Sequence, residues 1–373
     1  MAASPLPSVG ILTFHCSDNC GAMLQAYALR QFLRSVGFPT QIVPYEPFYL
    51  TGRHWLVPYF PMWNPLPQLL RTAYLTLAHL RAGREFFLCR KTMRAFRKQL
   101  LDPGQRPFHT EKGLGSLPYA CYVVGSDQIW NPDITFGLRP AYFGAFQAPA
   151  KKRVVAYAAS YGQAALPPGY EKEFSQLISG VDAVSMREAE ALPYVRGLYK
   201  GPVSAVLDPV FLIDPKEWKA VEEYPASGEY ILIYTVKPDE ALAAYAREFS
   251  ARTGLPIVGP LCAGSWRPAG TTPLPAAGPG QLLGGIHRAR YVVTNSFHGT
   301  SISILFRRPF VTFPHSAGDA RINNILKIHG LESRLYQDGF QMDAPINWDW
   351  AEAARVEALE TSKTFLVENL RLE

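Results

Sequence analysis

A repeated alternation constrains this chain most: a short apolar run ends in glycine or polar residues, and a helix-period segment follows. Val9–Phe14 (VGILTF) has the apolar density of a buried strand. After a polar turn, His15–Asn19, the spacing predicts a helix from about Ala22 to Val36, with Leu24, Ala28, Leu29, Phe32, Leu33 and Val36 on helical intervals. Gly37 suits the left-handed position just past a helix end. Gln41–Pro44 (QIVP) then reads as the next strand. Strand, helix and strand in this order make a βαβ unit, paired in parallel through a right-handed crossover. Ligands of such sheets gather outside the carboxyl ends of the strands. The loop His15–Gly21 is therefore placed where chemistry would occur.

The same grammar recurs along the chain. Cys121–Gly125, Arg153–Ser160, Ala183–Met186 and Val203–Leu207 read as strands, and Glu171–Ile178 as a helix. A second set starts near Pro215: strands Tyr230–Val236, Pro256–Val258, Tyr291–Thr294 and Pro309–Phe313, with helices Asp239–Thr253 and Gly299–Phe306. Proline-rich 47–70 and Pro268–Gly280 predict irregular chain, and 71–100 predicts helix with a break at Gly83. At 373 residues, and about 150 residues per domain, two domains are expected. The fold class is α/β, with two Rossmann-like doubly wound domains facing a cleft. Residues 1–214 would form the first, with a basic helical insertion near 71–100. Residues 215–348 would form the second, and 349–373 a final helix able to pack on either.

Several classes are excluded. The net charge of +6 is local: between Arg71 and Leu100 eight basic residues face one acid, so that segment nets +7 and the rest nets −1. A chain basic only in one segment argues against nucleic acid as partner. Five cysteines, Cys16, Cys20, Cys89, Cys121 and Cys262, form no disulfide framework, and Cys16 and Cys20 lack a second ligand pair for zinc. No metal is expected. Met1–Ser8 lacks the features of a signal peptide, and no apolar run reaches membrane-spanning length. A cytoplasmic protein is expected. The Walker loop, HExxH, GxSxG and GxGxxG patterns are absent.

Four groups of residues carry chemistry. Thr294–Thr300 (TNSFHGT) joins a strand end to a helix start, where free amides attract anions. There Ser296 and Thr300 add hydroxyls, Gly299 permits close approach of a ligand, and the positive helix end favours a neutral His298 able to act as a base. A helix-capping histidine is the plainer alternative. Gly125–Pro132 (GSDQIWNP) offers Ser126, Asp127, Gln128 and Asn131 to sugar hydroxyls and Trp130 as a flat face for a pyranose; the alternative is an Asx turn over a buried Trp. Asp18 and Asn19 either meet a ligand or cap the first helix, with Gln25 inside that helix. Arg187 and Arg321 are isolated guanidinium forks suited to a phosphate or carboxylate, or are ordinary surface residues.

Taken together, SDNCGAMLQAYAL, VVGSDQIWNP, VVAYAASYG, VSMREAEAL, LDPVFL and VTNSFHGTSISILFRRPFV resemble the polysaccharide pyruvyl transferase family, in the branch with DNxGAxLQAxAL and GSDQxWN segments. The likeness runs from about Gly10 to about Leu331. It implies a glycosyltransferase-B-like (GT-B-like) fold and transfer of a pyruvyl group from phosphoenolpyruvate to a sugar as a cyclic ketal, with no cofactor beyond that donor. His298 matches the family's proposed catalytic histidine. Arg187 falls in its Ser-x-Arg-Glu segment as a donor-binding cation, beside Ser296, Gly299, Thr300 and Arg321. Asp18, Asn19, Gln25, Ser126, Asp127, Gln128, Trp130 and Asn131 would then face the acceptor. One position departs: better-studied branches carry an arginine two residues before the histidine, and here it is Ser296.

Two other readings remain at this stage: a nucleotide-sugar glycosyltransferase using the same cleft, and a noncatalytic carbohydrate-binding protein. The acceptor is a sugar, either lipid-linked or free. The basic segment 71–100 is either a solvated helical face or, with Leu77, Leu80, Phe86, Phe87, Leu88 and Phe96 interleaved, a peripheral contact with anionic lipid at the inner face of the membrane.

Overall fold

The computed structural model describes residues 6–372 except 62–64, 102–103, 225, 260–265, 267, 275–276 and 315–319. Two all-parallel sheets organise them. The first holds β1 (Val9–Leu12), β2 (Thr40–Ile42), β3 (Cys121–Asp127), β4 (Arg153–Ala159), β5 (Ala183–Met186) and β6 (Val203–Ala205) in the order β2-β1-β3-β4-β5-β6. The second holds β7 (Ile231–Tyr234), β8 (Ile257–Val258), β9 (Thr271–Thr272), β10 (Tyr291–Thr294) and β11 (Phe310–Thr312) in the order β11-β10-β7-β8-β9. Every pairing is parallel, as the βαβ grammar requires. All of β1, β3 and β7 is buried, which is why these strands read as unbroken apolar runs rather than alternating ones.

Strand order reverses between β1 and β3 in the first sheet and between β7 and β10 in the second. At such points neighbouring connections leave on opposite faces and open a crevice at the strand carboxyl ends. The eight longer helices, in chain order, are α1 (Cys20–Ser35), α2 (Pro65–Ala82), α3 (Arg84–Leu100), α4 (Glu240–Thr253), α5 (Pro279–Arg288), α6 (Phe297–Leu305), α7 (Ala320–Ile328) and α8 (Trp348–Leu370). Asn19 caps α1, accepting from the Ala22 amide at 3.0 Å, and Gly37 ends it at φ +94°. Every residue of α1 from Cys20 to Leu29 is buried, because the helix lies between its own sheet and α5 of the second domain.

The structure differs from expectation in three places. Residues 47–70 contain a short helix, Phe48–Thr51, and the start of α2; Pro65 sits at that start, where its missing N–H costs nothing. A two-residue edge strand, β9, lies in the predicted loop Pro268–Gly280. Neither α5 nor α7 is evident from periodicity. Helix α5 carries Gly280, Gly284 and Gly285, poor helix formers, yet a Cβ on Gly284 would stand 2.1 Å from the Glu223 carbonyl oxygen, so packing overrides propensity. The final helix packs on both domains. It starts against α7 and ends on β4, where Ser362 Oγ accepts from the Leu207 amide at 2.9 Å and Leu366 and Leu370 are fully buried.

His329, after α7, is fully buried, with Nδ1 2.8 Å from the Ile325 carbonyl oxygen and its ring 5.5 Å from that of Phe211. Burial pushes its pKa down to about 4, against about 6.5 in the unfolded chain. Between those values the unfolded state binds the extra proton, so the stability contributed by neutral His329 is present above pH 6.5 and is lost as pH falls toward 4. A drop of about 2.5 units corresponds to about 3 kcal/mol. Chemical denaturation from pH 7 to pH 4 should therefore show a steeper loss of stability in the wild type than in His329→Met. Equal slopes would refute a buried neutral His329.

Candidate active site at the domain cleft

The carboxyl ends of β1, β3, β4, β7 and β10 all reach one cleft of about 830 Å³. Asn19 follows β1; Asp127, Gln128 and Asn131 follow β3; Gly162–Pro168 follows β4; Val236 and Lys237 follow β7; Asn295–His298 follows β10; and Arg321 enters from α7. A ligand there would touch both sheets at their reversal points.

His298 stands in the first turn of α6 and is 7 % exposed. Its Nε2 has no hydrogen-bond partner among the described residues and faces Asp208 Oδ2 at 3.8 Å, too long for a hydrogen bond. Its other side lies against Gly21 in α1: a Cβ on Gly21 would stand 2.1 Å from His298 Nδ1. Burial lowers the His298 pKa, Asp208 and Asp127 oppose this, and Arg187 and Arg321 add to it. The neutral imidazole is thus the resting form at neutral pH.

Behind His298 lies a buried ion cluster. Arg187 is 2 % exposed, with Nη1 2.8 Å from Asp208 Oδ2, Nε 3.5 Å from Glu188 Oε1 and Nη2 3.8 Å from Asp127 Oδ1. Phe297 covers the guanidinium at 4.6 Å. Burial disfavours this charge, but Asp208, Glu188 and Asp127 outweigh it and hold the Arg187 pKa above its usual value. Burial raises the Glu188 pKa, against the pull of Arg187 and a hydrogen bond from Ser160 Oγ. Asp208 also accepts from Ser126 Oγ at 3.2 Å and from the Val210 amide at 3.1 Å.

The cleft brings together Asn19, Asp127, Gln128, Asn131, Ser296, His298 and Arg321 from the sequence-level candidates. Others have different surroundings. Trp130 is fully buried, stacked 5.0 Å from Phe143, with its indole N–H donated to the Tyr142 carbonyl, so it offers no face to a pyranose. Gln25 is fully buried and donates to Thr13 Oγ1 and the Ala22 carbonyl. Ser126 is buried beneath Asp208. Asp18 turns to Arg90 and Arg97, at 3.4 and 3.9 Å. Thr300 donates to the Ser296 carbonyl and shares a 3.0 Å contact with Thr312 Oγ1. Gly299 is required by close packing, since a Cβ there would meet Thr294 Oγ1 at 2.4 Å. Its amide donates to Ser296 Oγ, which caps α6, and the Thr300 amide to the Ser296 carbonyl. That leaves the Phe297 and His298 amides as the first-turn donors the cap does not take. Arg187 is buried against its carboxylates, with Nη1 hydrogen-bonded to Asp208 while Nε and Nη2 make only longer ion pairs. Gly318 and Asp319, which precede Arg321 in the sequence, lie outside the described residues.

Three residues of the site escaped sequence reasoning. Asp208 is visible in the sequence only as the acid that ends the apolar run VSAVL, with no role attached to it. Gly21 breaks helix propensity in a first turn, a local cost that often marks a close approach. Lys237 gave no signal; it is an exposed cation after β7 that lines the cleft. Among the described residues no cluster of three or more His, Cys, Asp or Glu is arranged to hold a metal.

The fold and cleft define a GT-B-like α/β protein with paired Rossmann-like domains. It resembles the UDP-GlcNAc 2-epimerase of Neisseria meningitidis bound to UDP-GlcNAc, with a TM-score of 0.50, 10 % identity, and coverage of 97 % of this chain and 98 % of that one. The Escherichia coli heptosyltransferase WaaC with ADP gives a TM-score of 0.40 at 13 % identity, over 97 % and 99 % of the two chains. Among proteins of curated function none matches in sequence. The chain belongs to the polysaccharide pyruvyl transferase family, whose model matches residues 19–317.

The contact between Gly21 and His298 gives a test of the site's geometry. Gly21→Ala favours helix by about 1 kcal/mol but must displace the imidazole. Circular dichroism should show a folded chain, and the melting temperature should fall rather than rise. A variant more stable than the wild type would mean that the ring is not seated against α1.

Proposed function

We propose that this protein transfers the pyruvyl group of phosphoenolpyruvate to a sugar of a surface polysaccharide or its precursor, closing a cyclic ketal and releasing phosphate. Family membership supports a role in pyruvyl transfer. The observation that carries the chemistry is His298, neutral and backed by Asp208, on a cleft that also holds Lys237 and Arg321.

The donor carries a phosphate and a carboxylate, so its site needs fixed positive charge and directed donors. Lys237 and Arg321 supply charge, and the first-turn amides of α6 supply N–H groups at the positive end of a helix. These stand in for the family arginine whose position Ser296 occupies; Ser296 instead caps the helix that carries His298. Asn19, Gln128 and Asn131 line the acceptor side of the cleft. Asn19 Oδ1 caps α1, and Asn131 is held by the Asp133 amide and Gln128 Oε1, so the amide nitrogens of Asn19 and Gln128 are the groups offered to the acceptor hydroxyls.

In the neutral tautomer with its proton on Nε2, His298 turns that proton toward Asp208, and the Nδ1 lone pair, at the edge of the ring where Gly21 has no Cβ to fill the space, is kept for the acceptor. One acceptor hydroxyl loses its proton to Nδ1 as its oxygen bonds the enol carbon, while the methylene carbon gains a proton and becomes a methyl group. The C–O bond to phosphate then breaks, and the second hydroxyl bonds the same carbon. Of the two hydroxyl protons, one balances the new methyl group and the other leaves with phosphate. Asp208 steadies the imidazolium formed in the first step, as a carboxylate does in other histidine-base sites. It is a positioning residue, because it touches His298 and not the reacting atoms.

Incubation with phosphoenolpyruvate and a panel of sugar acceptors should release phosphate and add the mass of pyruvate less water to one acceptor. No such product, with a thermal shift from nucleotide sugars instead, would overturn the reading in favour of glycosyl transfer. His298→Ala should lower kcat by about 10²- to 10⁴-fold, the usual worth of a general base. Because Asp208 raises the His298 pKa, soluble Asp208→Asn should move the acidic limb of kcat/KM to lower pH as well as lowering kcat. An unmoved limb would remove Asp208 from this role.

A further inference from the structure

Helix α2 is amphipathic with its apolar side turned outward. At about 100° per residue, Leu69, Leu70, Tyr74, Leu77 and Leu80 fall on one arc of about 140°, and they are 54–68 % exposed. The opposite side carries His79, which is buried, stacks 4.3 Å from Phe86 and faces the Leu56 carbonyl oxygen. A helix normally buries its apolar stripe, and such a contiguous exposed patch marks an interaction surface.

Helix α3 packs against α2 beyond the bend at Gly83, φ +51°. On it the exposed side reads Arg84, Phe87, Lys91, Arg94 and Lys98, which share an arc of about 80°. Arg90 and Arg97 do not belong to this face, because they hold Asp18 and the Cys16 carbonyl. The hairpin therefore presents an apolar helical face beside a basic one that has a phenylalanine within it.

We infer that the α2–α3 hairpin docks on an anionic lipid surface, α2 laying its leucines and Tyr74 into the headgroup boundary while Arg84, Lys91, Arg94 and Lys98 meet the lipid charge. This combination of an apolar stripe and flanking cations is the physical signature of interfacial helices. A second copy of this chain fits less well, since a two-fold contact centred on the stripe brings the same basic residues toward themselves. Lipid supplies both the apolar phase and the opposite charge. The loop before α2 also reaches the cleft wall: Arg53 donates to the Ile134 carbonyl, and Ile134 lines the cleft. The inference does not depend on pyruvyl transfer.

Co-sedimentation with vesicles tests it. The full chain should sediment with equimolar phosphatidylcholine–phosphatidylglycerol vesicles at low salt and remain in solution with phosphatidylcholine alone. In about 1 M salt, where the Debye length is about 3 Å, binding to the anionic vesicles should weaken. Leu70→Asp/Leu77→Asp and Lys91→Glu/Arg94→Glu/Lys98→Glu should each lower the partition coefficient by about tenfold or more, with unchanged melting temperature and elution volume. Failure of the wild type to sediment with anionic vesicles at low salt would overturn the inference. So would a wild-type dimer that Leu70→Asp/Leu77→Asp converts to monomer, which would assign the stripe to a second copy.

Discussion

The buried pairing of Arg187 with Asp208 is the interaction on which the candidate site depends. Its 2.8 Å hydrogen bond joins the residue after β5 to the residue that opens the turn at Pro209. A buried ion pair need not add net stability, because desolvation offsets its Coulomb attraction, but loss of one partner leaves an uncompensated charge and costs about 3–5 kcal/mol. The pair therefore fixes geometry more than it adds stability. Asp208 is held by Ser126, Arg187 and the Val210 amide together, so its remaining approach, toward His298, has a defined direction. Three carboxylates surround one guanidinium, and burial raises the pKa of Glu188 among them.

That arrangement also ties the domains together. Arg187 follows β5 of the first sheet, Phe297 and His298 open the helix after β10 of the second, and they meet through the cation–π contact and the Asp208 approach. Asn324 of α7 donates to the Arg187 carbonyl at 2.9 Å, and α8 returns from α7 to β4. The cleft walls are thus joined at their base by polar contacts and along one side by a helix. Lys237 and Arg321 line the same cleft as Asp127, so cations and a carboxylate share its wall.

Much of the fold was legible because parallel strands buried on both faces leave short apolar runs, and each run ends where the site is built. Val9–Phe14, Cys121–Gly125 and Tyr291–Thr294 were readable in this way, and the structure's strands there are Val9–Leu12, Cys121–Asp127 and Tyr291–Thr294. What stayed hidden depended on contacts between distant segments. Trp130 follows a strand end like a ligand-binding residue, yet it faces Phe143 and Phe174, and only packing decides that. The role of Asp208 stayed hidden because its partners lie 21 and 82 positions away. Gly299 looked like an anion-site glycine, but the requirement comes from Thr294 and Tyr234 beneath it. Local pattern places the loops at the cleft; it does not say which side chain of each loop turns inward.

The charge distribution illustrates the same division. Counting residues assigns the excess of basic charge to 71–100 as a single block, whereas the fold divides the block by function. Arg90 and Arg97 fasten α3 to the β1–α1 loop through Asp18 and the Cys16 carbonyl, so two of the eight cations serve the loop that leads to Asn19 and the cleft. The exposed ones stand next to an apolar stripe that no described part of the chain covers. A hairpin with only charge on its surface would be explained by solvation alone. Outward leucines forfeit hydrophobic free energy in water, about 25 cal/mol for each Å² left exposed, so their placement calls for an apolar phase outside the chain.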